Sequence, residues 1–159
     1  MNSNSKTHLV IIPTYNELET IQQMLDTVLT LEKKFDVLIV DDNSPDGTAK
    51  VVEKNIPKFN NRLHILNRTA KEGLGAAYFA GFRWAIEHDY DFIYEMDCDF
   101  SHDPRDVPRL LSEVERGADF VIGSRYVPGG KIPSEWKIWR KANSFFGNIV
   151  ARLVAGVYP

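Results

Sequence analysis

A chain of 159 residues, 43% hydrophobic and 26% charged, has the size and composition of one soluble globular domain, which buries about 68 to 70% of the surface its unfolded form exposes. Its formal net charge of -3 argues against a general nucleic-acid binder, and the single cysteine, Cys98, excludes an internal disulfide and fits a reducing compartment. No stretch reaches the roughly 18 uninterrupted apolar residues of a membrane span.

Met1 to Thr7 is polar, lacks the apolar centre of a signal peptide and reads as a frayed tail, residues 1–7, ahead of a single domain over 8–159. Leu9 to Ile12, short, continuous and β-branched, predicts a first buried strand ended by Pro13. The period then changes: Ile21, Met24, Leu25, Val28 and Leu31 recur at helical spacing, which predicts an amphipathic helix to about Lys33. Val37 to Val40 is the second strand, and the Pro and Gly of Asp41-Asp42-Asn43-Ser44-Pro45-Asp46-Gly47 mark a turn before a helix capped by Thr48 and running through Asn55. Leu63 to Leu66 is a third strand. Leu74, Ala77, Tyr78, Gly81, Phe82 and Ala85 then form one apolar helical face. Phe92, Ile93, Tyr94 and Met96 make a fourth strand that stops at Asp97 and Asp99. Asp103-Pro104 starts a helix, a capping carboxylate before proline at the first helical position, and Val107, Leu110, Leu111 and Val114 continue it. Phe120 to Ile122 is expected as a fifth strand.

Strands that alternate with helices imply right-handed crossovers and a largely parallel sheet covered on both faces, so the fold class is α/β. Ligands of such sheets bind beyond the carboxyl ends of the strands. Polar clusters gather there: Thr14-Tyr15-Asn16-Glu17 after strand one, Asp41-Asp42 after two, Asp97-Cys98-Asp99 after four and Ser124-Arg125 after five.

The candidate chemistry centres on Y-E-M-D-C-D-F-S-H, Tyr94 to His102. In extended chain Asp97 and Asp99 would point to one side about 6 to 7 Å apart, and two acids so placed repel unless a cation sits between or beside them. Such hard oxygen ligands suit Mg²⁺ or Mn²⁺, whose natural partner is a diphosphate. Tyr15 offers an aromatic face for a base, Glu17 a carboxylate for base or ribose donors, and Asp42 an acceptor; a strand-to-helix turn also uses residues of these kinds. In K-E-G-L-G-A-A-Y, Gly73 and Gly75 allow a tight helix start and Lys71 a phosphate contact, whereas Tyr78 departs from the dinucleotide fingerprint. Arg125 suits a diphosphate or lipid phosphate, or else pairs with a sheet-edge acid, and the glycines of G-S-R-Y-V-P-G-G permit a mobile loop. Cys98 with His102 is a poor nucleophile and base, because acidic neighbours raise a thiol's pKa; Cys98 reads as a small residue in a tight wall.

Taken in order, P-T-Y-N-E, D-D-N-S-P-D-G-T, K-E-G-L-G-A-A-Y, M-D-C-D-F-S-H and G-S-R-Y-V-P-G-G resemble the family-2 glycosyltransferases of GT-A fold, and within them the dolichyl- or polyprenyl-phosphate mannose synthases. The resemblance runs from Leu9 to about Tyr158. It implies a Rossmann-like nucleotide-diphospho-sugar fold and inverting transfer of mannose from GDP-mannose to dolichyl or polyprenyl phosphate. It also implies a donor site of Pro13, Tyr15, Glu17, Val40, Asp42, Lys71, Asp97, Cys98 and Asp99. Asp97 and Asp99 would hold Mg²⁺ or Mn²⁺ and the diphosphate, with Ser101 where some relatives carry a coordinating amide. Arg125, Arg140 and Ser144 would meet the acceptor phosphate, and Asp99 and Arg125 would carry the catalysis. The family usually continues with an Asp-x-Thr-Ser-Gly-Phe-Arg segment beyond the position of Pro159, so the resemblance implies a C-terminally truncated chain.

A lipid phosphate, ionised near neutral pH, attacks the anomeric carbon without a strong general base, so the protein's task is to align the reactants and neutralise the departing diphosphate. A membrane-surface acceptor fits residues 131–152, where Lys131, Lys137, Arg140, Lys141 and Arg152 face Glu135 alone. Trp136 and Trp139 lie among these charges, and Phe145, Phe146, Ile149, Val150, Leu153 and Val154 make an apolar stripe that suits a lipid interface, packing on the sheet or docking of further chain. The expected location is the cytoplasmic face of a membrane, held peripherally. Two other readings stay open: a family-2 transferase using UDP-glucose or another nucleotide sugar on lipid phosphate, and a non-catalytic nucleotide-sugar binding domain.

Overall fold

The computed structural model describes residues 6–124, 127 and 137–155. Two compact units divide the chain, residues 1–109 and 110–159. The first carries four strands, β1 (His8–Thr14), β2 (Asp36–Asp41), β3 (Leu63–Asn67) and β4 (Phe92–Glu95), paired in parallel in the order β3-β2-β1-β4. Helices α1 (Ile21–Leu29), α2 (Thr48–Asn55) and α3 (Leu74–Glu87) supply the crossovers. The expected α/β class is what forms.

Alternation along the strands explains why both faces are covered. Leu9, Ile11, Leu38 and Val40 point to one face and pack with Ala77 and Ala85 of α3. Val10, Ile12, Val37 and Ile39 point to the other and are equally inaccessible, as are Ile21, Met24, Leu25 and Val28 of α1. Strands buried on both faces must read as unbroken apolar runs, which is the pattern at Leu9–Ile12 and Val37–Val40. Gly81 lets α3 lie close to the sheet: a Cβ there would meet Ile11 Cγ2 at 2.7 Å.

From β1 the chain winds through β2 to β3, then returns past β1 to β4. The winding direction therefore reverses between β1 and β4, and the crevice beyond the carboxyl ends of these two strands is where a parallel sheet of this kind takes its ligand.

Four local expectations change. The helix of residues 21–33 closes at Leu29, and Thr48 is the first residue of α2 rather than its cap: Gly47 holds the N-cap position, and Asp46 Oδ1 before it accepts from Thr48 N at 2.9 Å and Thr48 Oγ1 at 2.7 Å. Leu74 is exposed, not part of the inner face of α3, which begins at Ala77. Phe120 to Ile122 forms no strand; Phe120 is 77% exposed, because an apolar β-branched run favours extended chain but becomes a strand only where a neighbour's backbone groups meet it. The start at Asp103-Pro104 holds, with Asp103 Oδ1 accepting from Arg105 N at 3.0 Å ahead of a short 3₁₀ turn, Pro104–Asp106, and then α4 (Val107–Glu115).

In the second unit, α5 (Ile138–Ala155) has no acidic residue in its first turn and presents Trp139, Phe145, Phe146, Val150, Leu153 and Val154 as exposed side chains. Among the described residues no helix is long and apolar enough to cross a membrane.

Candidate functional site

The turn after β1 is fixed by the turn after β2. Asn16 N donates to Ser44 Oγ at 3.0 Å, Glu17 N to Thr48 Oγ1 at 3.0 Å and Leu18 N to Asp46 Oδ2 at 3.0 Å. Asp41 anchors this arrangement from below, accepting from Thr14 Oγ1 at 2.8 Å, Ser44 N at 2.8 Å and Ser44 Oγ at 2.7 Å. Burial raises the Asp46 carboxyl pKa, but the hydrogen bonds from Thr48 and Leu18 outweigh it and hold the group below its ordinary value. Most of D-D-N-S-P-D-G-T is thus a brace for the first turn, which presents Tyr15 and Glu17.

Residues from three turns meet over the strand ends. The Lys71 ammonium lies 3.9 Å from the centre of the Tyr15 ring, which joins the turn after β1 to the one before α3. Gly73, at φ 99° and ψ 158°, makes that helix start in a backbone region open essentially to glycine alone. Asp42, 5% exposed, pairs with Arg68 at 2.7 Å, and Arg68 also donates to Glu72. Arg68 was not among the expected site residues. Its signal was its position: it follows β3 directly, at the same carboxyl edge as the clusters after the other strands.

Across the crevice, the chain after β4 turns instead of continuing extended. Phe100 has φ 58°, an uncommon conformation for a bulky side chain, and Ser101 N donates to Asp99 Oδ1 at 2.8 Å. The extended chain expected to display Asp97 and Asp99 side by side is therefore replaced by a turn that begins at Cys98. Asp97 Oδ1 accepts from the Tyr78 hydroxyl at 3.3 Å, and Asp97 Oδ2 lies 3.7 Å from His102 Nδ1. Burial, with Asp97 and Glu95 nearby, raises the Tyr78 pKa, so the phenol stays a donor. Burial raises Asp99 too, but the backbone and hydroxyl of Ser101 and the nearby His102 outweigh it and hold this carboxyl below its ordinary value. Ser101 serves Asp99 as a hydrogen-bond donor here.

Cys98 and Thr20 connect the two sides. Thr20 Oγ1 donates to Glu17 Oε2 at 2.8 Å and lies 3.6 Å from Cys98 Sγ. Burial pushes the Cys98 thiol up to about 11, the Thr20 contact opposes this, and Glu17, Asp99 and Asp97 add to it. A thiol so placed is no nucleophile at neutral pH, in line with its reading as wall. Val40 is inaccessible, its side chain in the core beneath α3. Pro13 is half-buried at the end of β1. Arg125 lies outside the described residues, and Arg140 and Ser144 lie on α5 in the second unit.

Among the described residues no three of His, Cys, Asp and Glu converge as a metal cage. Two carboxylates, each with an oxygen held by a fixed donor, would supply hard oxygens to an ion whose remaining ligands came from a diphosphate and water. Asp97 and Asp99 fit Mg²⁺ or Mn²⁺ in that manner.

The glycosyl transferase family 2 profile matches residues 9–156. The chain belongs to this family. The undecaprenyl-phosphate mannosyltransferase of Micrococcus luteus is 48% identical over 149 residues, 94% of this chain and 60% of that protein. The polyprenol monophosphomannose synthase of Mycolicibacterium smegmatis is 44% identical, over 94% of this chain and 56% of that protein. The chain therefore spans somewhat over half the length of these relatives. Among solved structures, S. aureus TarS 1-349 in complex with UDP matches with a TM-score of 0.54 and 26% identity, covering 67% of this chain and 32% of that one. The four-stranded parallel sheet is thus the GT-A fold expected of the family.

Proposed function

We propose that this family-2 domain belongs to an enzyme that transfers mannose from GDP-mannose to a polyprenyl or dolichyl phosphate, with inversion, at the cytoplasmic face of a membrane. The observation that carries the reading is the 48% identity to an undecaprenyl-phosphate mannosyltransferase over 94% of the chain. The site agrees chemically, because the groups at the β1/β4 switch point suit a nucleoside diphosphate: an aromatic face at Tyr15, a cation at Lys71 and carboxylates at Asp97 and Asp99.

In this reading Tyr15 stacks on the base, Glu17 and Asp42 accept from base or ribose donors, and Lys71 moves from the Tyr15 ring toward phosphate. Asp97 and Asp99 hold Mg²⁺ or Mn²⁺, which when bound neutralises the diphosphate as it departs. Cys98 closes the wall between them and excludes water. Arg125, Arg140 and Ser144 are proposed for the acceptor phosphate, which needs orientation and charge neutralisation more than a base. The exposed apolar side chains of α5, with Arg140, suit the surface of an anionic membrane that carries such an acceptor.

The test is transfer from radiolabelled GDP-mannose and UDP-glucose to polyprenyl phosphate in the presence of Mn²⁺. Labelled lipid from GDP-mannose, with a β-linked product, supports the reading. Transfer from UDP-glucose alone would move the protein to another donor class, which the likeness to the UDP-bound TarS structure makes the specific competitor.

A further inference from the structure

Tyr78 is the last residue of K-E-G-L-G-A-A-Y. It sits on α3, whose main business is to cover the sheet, and it packs against the core cluster of Leu9, Ile11, Leu38 and Val40. A phenylalanine would serve that packing equally well; Phe82, one turn on, does so, with the two rings 6.2 Å apart. The hydroxyl is the part that packing leaves unexplained, and it reaches Asp97 Oδ1 at 3.3 Å.

We propose that Tyr78 is a positioning residue of the cation site: its hydroxyl fixes the Asp97 carboxylate through Oδ1, so that Oδ2 is presented to the ion and the diphosphate. The inference rests on the reading of Asp97 as a ligand given above. A carboxylate has one soft torsion at its end and rotates freely unless one oxygen is held. Asp97 is 37% exposed and follows the end of β4, so neither burial nor the ladder fixes it. Its other neighbour, His102, is 56% exposed at 3.7 Å from Oδ2, too far for a firm hydrogen bond. Tyr78 is the partner carried on a rigid element. The height of α3 over the sheet is in turn set by Gly81, one turn further along the same helix, where a Cβ would collide with Ile11. The close helix-to-sheet approach and the hydroxyl's reach to the end of β4 are thus one construction. A ligand held in its working geometry before the ion arrives loses less freedom on binding.

Calorimetric titration of GDP, with and without Mn²⁺, into the wild-type protein, Tyr78→Phe, Asp97→Ala and the double variant separates the possibilities. The expected result is that Tyr78→Phe lowers the Mn²⁺-dependent affinity for GDP about three- to tenfold, the range for one lost hydrogen bond of ordinary net strength, and leaves metal-free affinity and Tm unchanged. In the Asp97→Ala background the same change has no further effect. If Asp97→Ala loses the Mn²⁺ dependence while Tyr78→Phe behaves as wild type, the positioning role is overturned and the ligand reading stands. If Tyr78→Phe lowers Tm and metal-free affinity together, the hydroxyl is structural and the proposal is overturned as well. If Asp97→Ala binds GDP and Mn²⁺ as wild type does, both the ligand reading and the role of Tyr78 are overturned.

Discussion

Arg68, directly after β3, reaches Asp42, directly after β2, with 2.7 Å between Nη1 and Oδ1, and their side chains are only 11% and 7% exposed. The pair ties two adjacent strand ends just beyond the last paired residues, Asp41 and Asn67, beside the backbone bond from Arg68 N to Asp41 O at 2.8 Å. An ion pair withdrawn from water contributes little net stability, but removing one partner strands the other charge.

Arg68→Met should therefore destabilise the protein by about 3 kcal/mol, read from urea unfolding, because Asp42 is left charged and buried. Adding Asp42→Asn to that variant should recover part of the loss. A double variant no more stable than Arg68→Met would contradict the pairing.

Gly81→Ala sets two effects against each other. Alanine in a helix gains about 1 kcal/mol over glycine, but a Cβ 2.7 Å from Ile11 Cγ2 forces a shift in a fully packed layer, which costs about 1 to 3 kcal/mol. Any displacement of α3 also loosens Tyr78. We expect a net loss of about 1 kcal/mol in thermal or urea unfolding and a lower Mn²⁺-dependent affinity for GDP. A stabilised protein would mean that the close approach is not a constraint.

His64 gives the stability a dependence on pH at the end of the sheet away from the site. Burial lowers its pKa below 6.5, Asp36 opposes this and His88 adds to it. The Tyr90 hydroxyl, 3.5 Å from Nε2, donates to Asp36 at 2.7 Å. The unfolded chain then binds the proton more readily than the folded one. The contribution is fully present above the unfolded value of 6.5 and is lost as pH falls through that value toward the folded one. Unfolding free energies measured across this window should fall more steeply with acid in the wild type than in His64→Phe; parallel curves would count against it.

Asp46→Ala removes the acceptor of Thr48 N, Thr48 Oγ1 and Leu18 N together. A loss of about 1 to 2 kcal/mol is expected, in the range of a helix cap, along with weaker GDP binding, because the turn that carries Tyr15 and Glu17 loses its brace. Wild-type unfolding with wild-type GDP affinity would show that the brace is redundant.

The buried strands were legible because the sheet is covered on both faces: Leu9–Ile12 and Val37–Val40 have no polar break, and the helical periods of Ile21–Val28 and Ala77–Ala85 point inward as spaced. The carboxyl-edge rule likewise located Tyr15, Asp42 and Asp97. It was not applied to the end of β3, which is why Arg68 was missed. Phe120–Ile122 carried the composition of a strand, but composition does not report a pairing partner. The turn at Asp97–Ser101 was hidden for a related reason: alternation holds only while the ladder lasts, and β4 ends at Glu95. The place of the Val40 side chain on the α3 face follows from its alternation with Ile39.

In the proposed function Asp97 and Asp99 bind a divalent cation together with the diphosphate of GDP-mannose. Calorimetric titration of GDP-mannose with and without Mn²⁺, into the wild type and Asp99→Ala, tests it most directly. The expected result is an affinity at least about tenfold higher with Mn²⁺ in the wild type, and no effect of Mn²⁺ in an Asp99→Ala protein that unfolds at the same temperature. Equal affinities with and without Mn²⁺ in the wild type, or an undiminished Mn²⁺ effect in Asp99→Ala, would contradict it.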